Sequence, residues 1–475
     1  MSRMRIASIL LLASLCMTLV VGAASPTRAQ ERAPLIVAAK QADHDTLVAL
    51  IKKGASVNAT EADGTTALHW ASYRDDVKSA EALIRAGANV NAVNDLGASS
   101  LWVASLNGSA AMVRILLQAG ANPNQALLAG ETPVMVAARS GYPALVEQLI
   151  ESGGNVNARG ARSQTALMWA VAQKHPDVVT VLLAHGADIR ATSDVWDYVQ
   201  AVPPHGRLEY NATIPHGGDT ALMFAARVGD LASAKLLVAA GANVNDADAW
   251  GVSAMVLAAH SGYADLVEFL LEKGADANAA AAGFTALHEA IMRRDEKLVA
   301  TLLEHGADPN TPLRGWTPTR RSSEDFNFPP AHIGATPFWL AARVMSPPVM
   351  RVLVKHGADP KFVHHADYYP DGPGLAVRRV ESITALMAAT GMGGGVPWIQ
   401  PDRAEREALM LETAKLVIDL GVDINAAAAD GRTALDAAQT LKYESVVEFL
   451  VGKGAKPGPK KKPGATAPDT PVVRN

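Results

Sequence analysis

A few side chains stand close enough in the sequence to suggest chemistry. His364, His365 and Asp367 lie within four consecutive positions, and imidazole and carboxylate groups at such spacing can ligate a metal ion. An acid–base site could instead use groups from the irregular parts of the chain, namely Asp194, Asp197, Glu209, His364 and Asp367. Polar clusters of this kind are more commonly solvated loop residues, so the sequence predicts neither a metal nor a cofactor.

The sequence lacks the signatures of the common catalytic classes. It contains no His-Glu-x-x-His, no Gly-x-Ser-x-Gly and no Gly-Lys-Ser/Thr phosphate loop, and the glycines from Gly391 to Gly395 do not follow a predicted strand. Cys16 is the only cysteine, which excludes disulfides and cysteine metal sites from the rest of the chain. These observations favour a protein that is not an enzyme.

Residues 1–29 have the pattern of a secretory signal. Arg3 and Arg5 precede an apolar run from Ile6 to Gly22, and the small residue Ala29 suits cleavage by a signal peptidase. We therefore expect residues 1–29 to be removed and the mature chain to be periplasmic or secreted. The alternative is an uncleaved membrane anchor, but no basic stop-transfer cluster follows the apolar run.

Charge and composition restrict the partners and the extent of the fold. The chain has 43 basic and 47 acidic residues, and removal of the predicted signal leaves a net charge of about −7. A weakly acidic chain is a poor general binder of nucleic acid. Residues 458–475 are rich in proline, glycine and alanine and include Lys460, Lys461 and Lys462, so we expect a disordered basic tail.

The elements that would position these groups repeat along the chain. Five glycines recur at one constant interval: Gly54, Gly87, Gly120, Gly153 and Gly186. Each follows a helical stripe of paired apolar residues, such as Leu145-Val146 and Leu149-Ile150. A unit this small cannot bury its apolar face alone, so neighbouring units must stack. The sequence therefore predicts a solenoid.

These units resemble the ankyrin repeat. The resemblance rests on Thr66-Ala67-Leu68-His69-Trp70-Ala71, on Thr285-Ala286-Leu287-His288-Glu289-Ala290 and on Gly274-Ala275-Asp276-Ala277-Asn278-Ala279. It covers residues 30–457 and implies an all-α solenoid of about eleven helix–turn–helix repeats with hairpin finger loops. The family histidine is present only as His69 and His288, so we expect packing to replace most of its hydrogen bonds.

Four segments interrupt the regular spacing, near residues 194–216, 314–332, 364–380 and 390–407. Three of them would lengthen finger loops, and the fourth would extend the turn inside repeat ten. Because insertions often mark a binding face and exposed aromatic rings anchor interfaces, their aromatic side chains are candidate partner contacts. They include Trp196, Tyr198, Tyr210, Trp316, Phe326, Phe328, Tyr368 and Tyr369. Alternatively, the insertions fold back and fill the groove of the array itself.

The resemblance also implies a second surface, a concave groove lined by residues at the end of each first helix. The matching positions, together with Trp250 of a finger loop, are Tyr73, Arg74, Leu106, Arg139, Arg227, His260, Arg293 and Arg343. Five arginines there could bind carboxylates or phosphates, or they could simply complement the dipole of their own helices.

The sequence therefore predicts a non-enzymatic scaffold that binds another protein, of unknown identity, through its finger loops and groove, and that is itself a monomer. Two alternatives stay open: an enzyme whose site is built from the inserted loops, and a structural component of the cell envelope.

Overall fold

The computed structural model describes residues 34–200, 212–317, 328–369, 378–394 and 402–459. Within them the chain forms 22 α-helices in eleven successive pairs, together with two β-hairpins. The first helices of the pairs are α1 Pro34–Gln41, α3 Ala67–Arg74, α5 Ser100–Asn107, α7 Pro133–Ser140, α9 Ala166–Ala172, α11 Ala221–Val228, α13 Ala254–Ser261, α15 Ala286–Met292, α17 Pro337–Arg343, α19 Ala385–Ala389 and α21 Ala434–Leu441. The second helices are α2 His44–Lys52, α4 Val77–Arg85, α6 Ala110–Gln118, α8 Pro143–Glu151, α10 Pro176–Ala184, α12 Leu231–Ala239, α14 Ala264–Glu272, α16 Glu296–Glu304, α18 Pro347–Lys355, α20 Arg403–Asp419 and α22 Glu444–Gly452. The prediction of an all-α solenoid of about eleven repeats is confirmed.

Local sequence explains why each pair forms. In repeat four the Thr132 side chain accepts a hydrogen bond from the backbone N–H of Met135 at 3.3 Å, and Pro133 occupies the first turn of α7. The helix ends at Gly141, which has a φ of 77° and therefore adopts the left-handed conformation that a β-carbon would strain. The same signals recur in most repeats, so the helix bounds follow from the sequence.

The apolar core runs through the whole array, from Leu35 in α1 to Leu450 in α22. Alanines such as Ala71 and Ala104 are fully buried in the first helices, where their small side chains allow close approach. Over repeats one to eight, successive first helices lie closer together than successive second helices do. The array therefore bends toward its first helices, which places the concave groove on their side.

Hydrogen bonds link neighbouring repeats both where the family histidine is present and at one position where another residue replaces it. Nε2 of His69 donates to the carbonyl of Ala98 in the next repeat at 2.9 Å. Trp339 stands at the matching position of repeat nine, and its Nε1 donates to the carbonyl of Ile383 at 3.1 Å. Tryptophan thus supplies both the packing and the hydrogen bond, which corrects the expectation for this repeat.

Asparagine side chains form a second set of links along the array. Nδ2 of Asn91 donates to the Gly120 carbonyl at 3.0 Å, and Oδ1 of Asn91 accepts from the backbone N–H of Asn122 at 2.7 Å. Equivalent links start from Asn58, Asn124, Asn157, Asn245, Asn278, Asn310 and Asn425. Repeats five and nine have Arg190 and Lys361 at this position instead.

Each of those two junctions contains one of the two β-hairpins seen among the described residues. After repeat five, β1 Val195–Gln200 pairs with β2 Ala212–Gly217, and after repeat nine, β3 Val363–Tyr368 pairs with β4 Arg379–Thr384, both antiparallel. Of the other two inserted segments, one includes a 3₁₀ turn at Pro330–His332. The other precedes and includes the start of α20, which is a helix of 17 residues. Among the described residues, no helix has the length and apolar character needed to cross a bilayer.

The asparagine links should stabilise each junction measurably. We expect Asn91→Ala to lower the free energy of unfolding by about 1 kcal/mol, because it removes both hydrogen bonds at once. Hydrogen exchange of the Asn122 amide should become faster in the same variant. Arg190→Ala is the matched control, since Arg190 forms no such side-chain link among the described residues. Equal effects of the two substitutions would show that the links contribute nothing.

Candidate partner-binding surface

The groove of repeats one to seven is lined by basic side chains that contact acidic and aromatic neighbours. Nη2 of Arg139 lies 2.9 Å from Oε1 of Glu131, and the guanidinium lies over the ring of Trp169 with its carbon 4.9 Å from the centroid. Arg227 likewise pairs with Asp219 at 2.9 Å. Both arginines lie in the last turn of their helices, and each also forms these side-chain contacts.

The other predicted groove residues also have partners or remain at the surface. Nε of Arg74 donates to the carbonyl of Lys40 at 2.8 Å. Tyr73 is exposed and Leu106 is half-buried. In repeats seven and eight, Nδ1 of His260 lies 3.0 Å from Oε2 of the buried Glu289, and Nη1 of Arg293 donates to the carbonyl of His260 at 3.0 Å.

At repeat nine the groove is filled by inserted segments. Arg343 is buried, and its Nε and Nη2 donate to the carbonyl of Gly394 at 3.4 Å and 3.0 Å. Nε2 of His332, in the 3₁₀ turn, also lies 3.3 Å from that carbonyl oxygen. The indole of Trp339 packs against His332 and against His364 of β3, with ring centroids 5.5 Å and 4.6 Å apart. Three insertions therefore meet at one repeat.

Three of the predicted contact residues are consequently unavailable to a partner. Phe328 is fully buried, with its ring centroid 5.4 Å from that of Phe284. Tyr368 and Arg343 are buried under the insertions. We therefore remove Phe328, Tyr368 and Arg343 from the candidate surface. Burial of apolar area and hydrogen bonding to a carbonyl inside the chain stabilise these side chains more than contact with solvent would.

Burial also controls the charge of this cluster. Desolvation lowers the pKa of His332 to about 3, assisted by the positive charge of Arg343. Desolvation likewise lowers the pKa of His364, and it lowers the pKa of Arg343 to about 10 although Tyr368 and Glu381 act in the opposite direction. Both imidazoles are therefore neutral near pH 7 while the guanidinium remains charged.

Gly394 is needed for the inserted segment to reach Arg343. Its φ is 69°, and a β-carbon there would lie 2.8 Å from Cβ of Ala331 and would also collide with the hydroxyl of Tyr368. We expect Gly394→Ala to cost about 1–3 kcal/mol more than Gly120→Ala, measured by urea unfolding. Gly120 is the matched control because its φ is also positive, at 89°, but no neighbouring atom lies within 4 Å of the place that its β-carbon would take. A difference near zero would mean that the segment does not need this close approach.

The first hairpin, β1–β2, differs because much of it faces solvent. Trp196 lies between the guanidinium of Arg162, whose carbon is 3.8 Å from the ring centroid, and the ring of His216, which stacks at 5.7 Å. Arg162 holds a φ of 55°, a left-handed conformation that is uncommon for a residue with a side chain. Tyr198 and Val199 beside this stack are 56% and 62% exposed. The described strands of the hairpin thus carry an aromatic stack beside exposed apolar side chains.

The other predicted contact residues that the structure describes are partly exposed. Trp250 packs edge-on against Phe284 with centroids 6.0 Å apart, and Trp316 and Tyr369 are half-buried. Tyr210 and Phe326 lie outside the described residues.

Three aromatic residues of the groove floor were missing from the sequence-based set, namely Trp70, Trp169 and Phe224. Each directly follows the position of the family histidine, and this register could have identified them. All three are half-buried in the structure and lie beside basic groove residues.

The possible acid–base and metal groups do not form one site. His364 is buried on one face of β3 and its Nε2 donates to the Ala331 carbonyl at 2.8 Å, whereas His365 and Asp367 are exposed on the other face. Asp197 belongs to the first hairpin, four repeats away, Asp194 directly precedes it, and Glu209 lies outside the described residues. In the part of the chain that the structure describes, no three histidine, cysteine or acidic side chains are grouped as metal ligands.

Comparison with known proteins gives a consistent family assignment. No curated protein matches the chain. A crystal structure of the human ASB11 ankyrin repeat domain is 30% identical over 50% of this chain and 98% of that domain, with a TM-score of 0.42. The family model described as ankyrin repeats (3 copies) matches residues 11–94, 35–127, 101–193 and 222–312, which together exceed half of the chain. Further ankyrin models match residues 167–238 and 333–365. The chain therefore belongs to the ankyrin repeat family.

Proposed function

We propose that this protein is a non-enzymatic scaffold that binds another protein through the groove of repeats one to seven and the projecting β1–β2 hairpin. The observation that supports this proposal is the contrast between the two halves of the array. Insertions cover the groove at repeat nine, whereas groove residues of repeats two to seven, including Tyr73, Arg139 and Arg227, keep much of their side chains exposed. Ankyrin arrays generally bind proteins, and a rigid groove loses little conformational entropy on binding.

Affinity capture with point variants tests this proposal. The chain that begins at Gln30 is used as bait, and any captured protein is purified and titrated against it. We expect Trp70→Ala and Tyr198→Ser each to weaken binding at least tenfold, because both remove aromatic contact area. Val451→Ser is the control, since Val451 is 53% exposed but lies on α22 at the far end of the array. A partner that binds all variants equally would contradict the proposed surface.

We further propose that the protein acts in the cell envelope or outside the cell, after removal of residues 1–29. Apolar composition from Ile6 to Gly22 and the small residue Ala29 support this location. Expression in a Gram-negative host with a C-terminal tag should give a periplasmic or secreted product whose N-terminal residue is Gln30. Retention of Met1 in that product would contradict cleavage.

A further inference from the structure

One arrangement recurs in the groove at repeats one and two, four and five, and six. A basic side chain is paired with an acid: Lys40 with Glu61 at 2.6 Å, Arg139 with Glu131 at 2.9 Å, and Arg227 with Asp219 at 2.9 Å. In each pair the acid is the more buried member. The side chain of Arg139 is 39% exposed against 12% for Glu131, and that of Arg227 is 46% exposed against 11% for Asp219. For Lys40 and Glu61 the difference is smaller, 29% against 22%, so the position of the cation on the solvent side is clearest for Arg139 and Arg227.

Each of these cations also lies against an aromatic ring of the groove floor. Nζ of Lys40 is 4.5 Å from the ring centroid of Trp70, and the guanidinium carbon of Arg227 is 5.7 Å from that of Phe224. The ring of Trp70 is itself fixed, because its Nε1 donates to Oε2 of Glu61 at 2.8 Å. At repeats one and two, acid, cation and ring thus hold one another in a single arrangement, which limits the rotamers of the Lys40 side chain.

This arrangement orients the cations for a second anion. A guanidinium has five N–H donors in a fixed plane, and one carboxylate at its inner side can accept from only part of that set. Arg139 and Arg227 therefore have more donors than Glu131 and Asp219 can accept from, on side chains that are 39% and 46% exposed. Asp248 is the other acid near Arg227, but its Oδ1 accepts from the backbone N–H groups of Trp250 and Val252 at 2.9 Å and 2.8 Å and so is committed to its own turn.

From this geometry we propose that the groove of repeats one to six binds an acidic amphipathic segment of its partner protein. Apolar side chains of that segment pack on Trp70, Trp169 and Phe224. Its carboxylates pair with Lys40, Arg139 and Arg227. This inference rests on the proposed scaffold function and narrows it to one chemical class of partner, because the exposed charges of the recurring pairs are positive while the floor between them is aromatic.

Two designed peptides test the proposal directly. Both have the same spacing of leucines, and one has glutamate and the other lysine at every polar position. Binding to the chain that begins at Gln30 is measured by fluorescence anisotropy at low and at high NaCl concentration. We expect the glutamate peptide to bind at least tenfold more tightly than the lysine peptide at low salt, and to lose most of that advantage at high salt.

Substitutions in the chain test whether Arg139 and Arg227 cause the preference for the glutamate peptide. Arg139→Gln combined with Arg227→Gln should abolish the preference for glutamate, and Arg139→Lys combined with Arg227→Lys should keep part of it, since lysine retains the charge but not the planar donors. Arg85→Gln is the control, because Arg85 is 70% exposed on α4, outside the groove. Unchanged urea midpoints would show that the variants remain folded.

Several results would overturn the inference. They are equal or tighter binding of the lysine peptide, a glutamate preference that persists in the double glutamine variant, and binding of phosphatidylglycerol vesicles or inorganic polyphosphate that is as tight as binding of the glutamate peptide. A captured partner that binds the groove through a basic or neutral segment would contradict this inference but would still support the scaffold function. Failure to capture any protein would contradict the scaffold function itself.

Discussion

Replacement of Trp339 by alanine should destabilise the C-terminal half of the array by about 3–5 kcal/mol, the range for removal of a buried aromatic side chain. Trp339 is fully buried, it contacts the rings of His332 and His364, and its Nε1 bonds the Ile383 carbonyl of the following repeat at 3.1 Å. The cavity would open where three insertions meet. Urea unfolding measures the loss, and amide hydrogen exchange shows which repeats it affects.

One further variant separates packing from hydrogen bonding at this position, and a second variant, in the β1–β2 hairpin, is the control. Trp339→Phe keeps most of the apolar volume but removes the indole N–H, so we expect a smaller loss of about 1–2 kcal/mol. Tyr198→Ala removes an aromatic ring that is 56% exposed and should change stability little. Because repeat arrays can unfold in parts, exchange should accelerate in repeats nine and ten before repeats two to four. Uniform acceleration along the array would argue against a local role for Trp339.

Acidification should destabilise the protein from about pH 6.5 downward, before most carboxylates titrate. Burial lowers the pKa of His288 to about 4 and that of His332 to about 3, whereas both ionise near 6.5 when the chain is unfolded. The unfolded state therefore binds more protons over this interval, and stability falls as the pH falls. The slope should be about 1.4 kcal/mol per pH unit for each of the two histidines, and it should flatten as the pH reaches their folded-state values.

Substitutions with side chains that do not titrate test this origin. Methionine occupies the place of His288 in several other repeats, for example as Met135 and Met168, so His288→Met should reduce the slope between pH 6.5 and 5 without loss of the fold. His332→Gln should do the same while keeping a donor for the Gly394 carbonyl. Urea midpoints across this pH interval provide the measurement. A slope that is unchanged in both variants would assign the acid sensitivity to other groups.

The position of a residue within its repeat predicts which side chains line the groove, but it does not predict how those side chains pair. The family register located the groove residues Tyr73, Leu106 and Arg139, and the same register would have added Trp70 and Trp169. It could not show that Arg139 and Arg227 pair with Glu131 and Asp219, because those acids stand in finger loops whose side chains can adopt many orientations. The pairing depends on how each loop packs beside its helix.

The sequence by itself determined the repeating part of this protein. A glycine stop, a threonine or serine cap and an apolar stripe fix each helix pair through contacts within one repeat, and stacking of similar units then follows from burial of the stripes. Only the tertiary structure decided what the insertions do. Three of them meet at repeat nine and bury Arg343 and Tyr368, and one of these three also places Phe328 against Phe284 and His288 of repeat eight, while the β1–β2 hairpin leaves Tyr198 in solvent. The physical reason is that an irregular insertion has no period to mark its inner face, so the burial of its own aromatic residues, and of a helix residue such as Arg343 beneath it, depends on contacts with residues distant in the sequence.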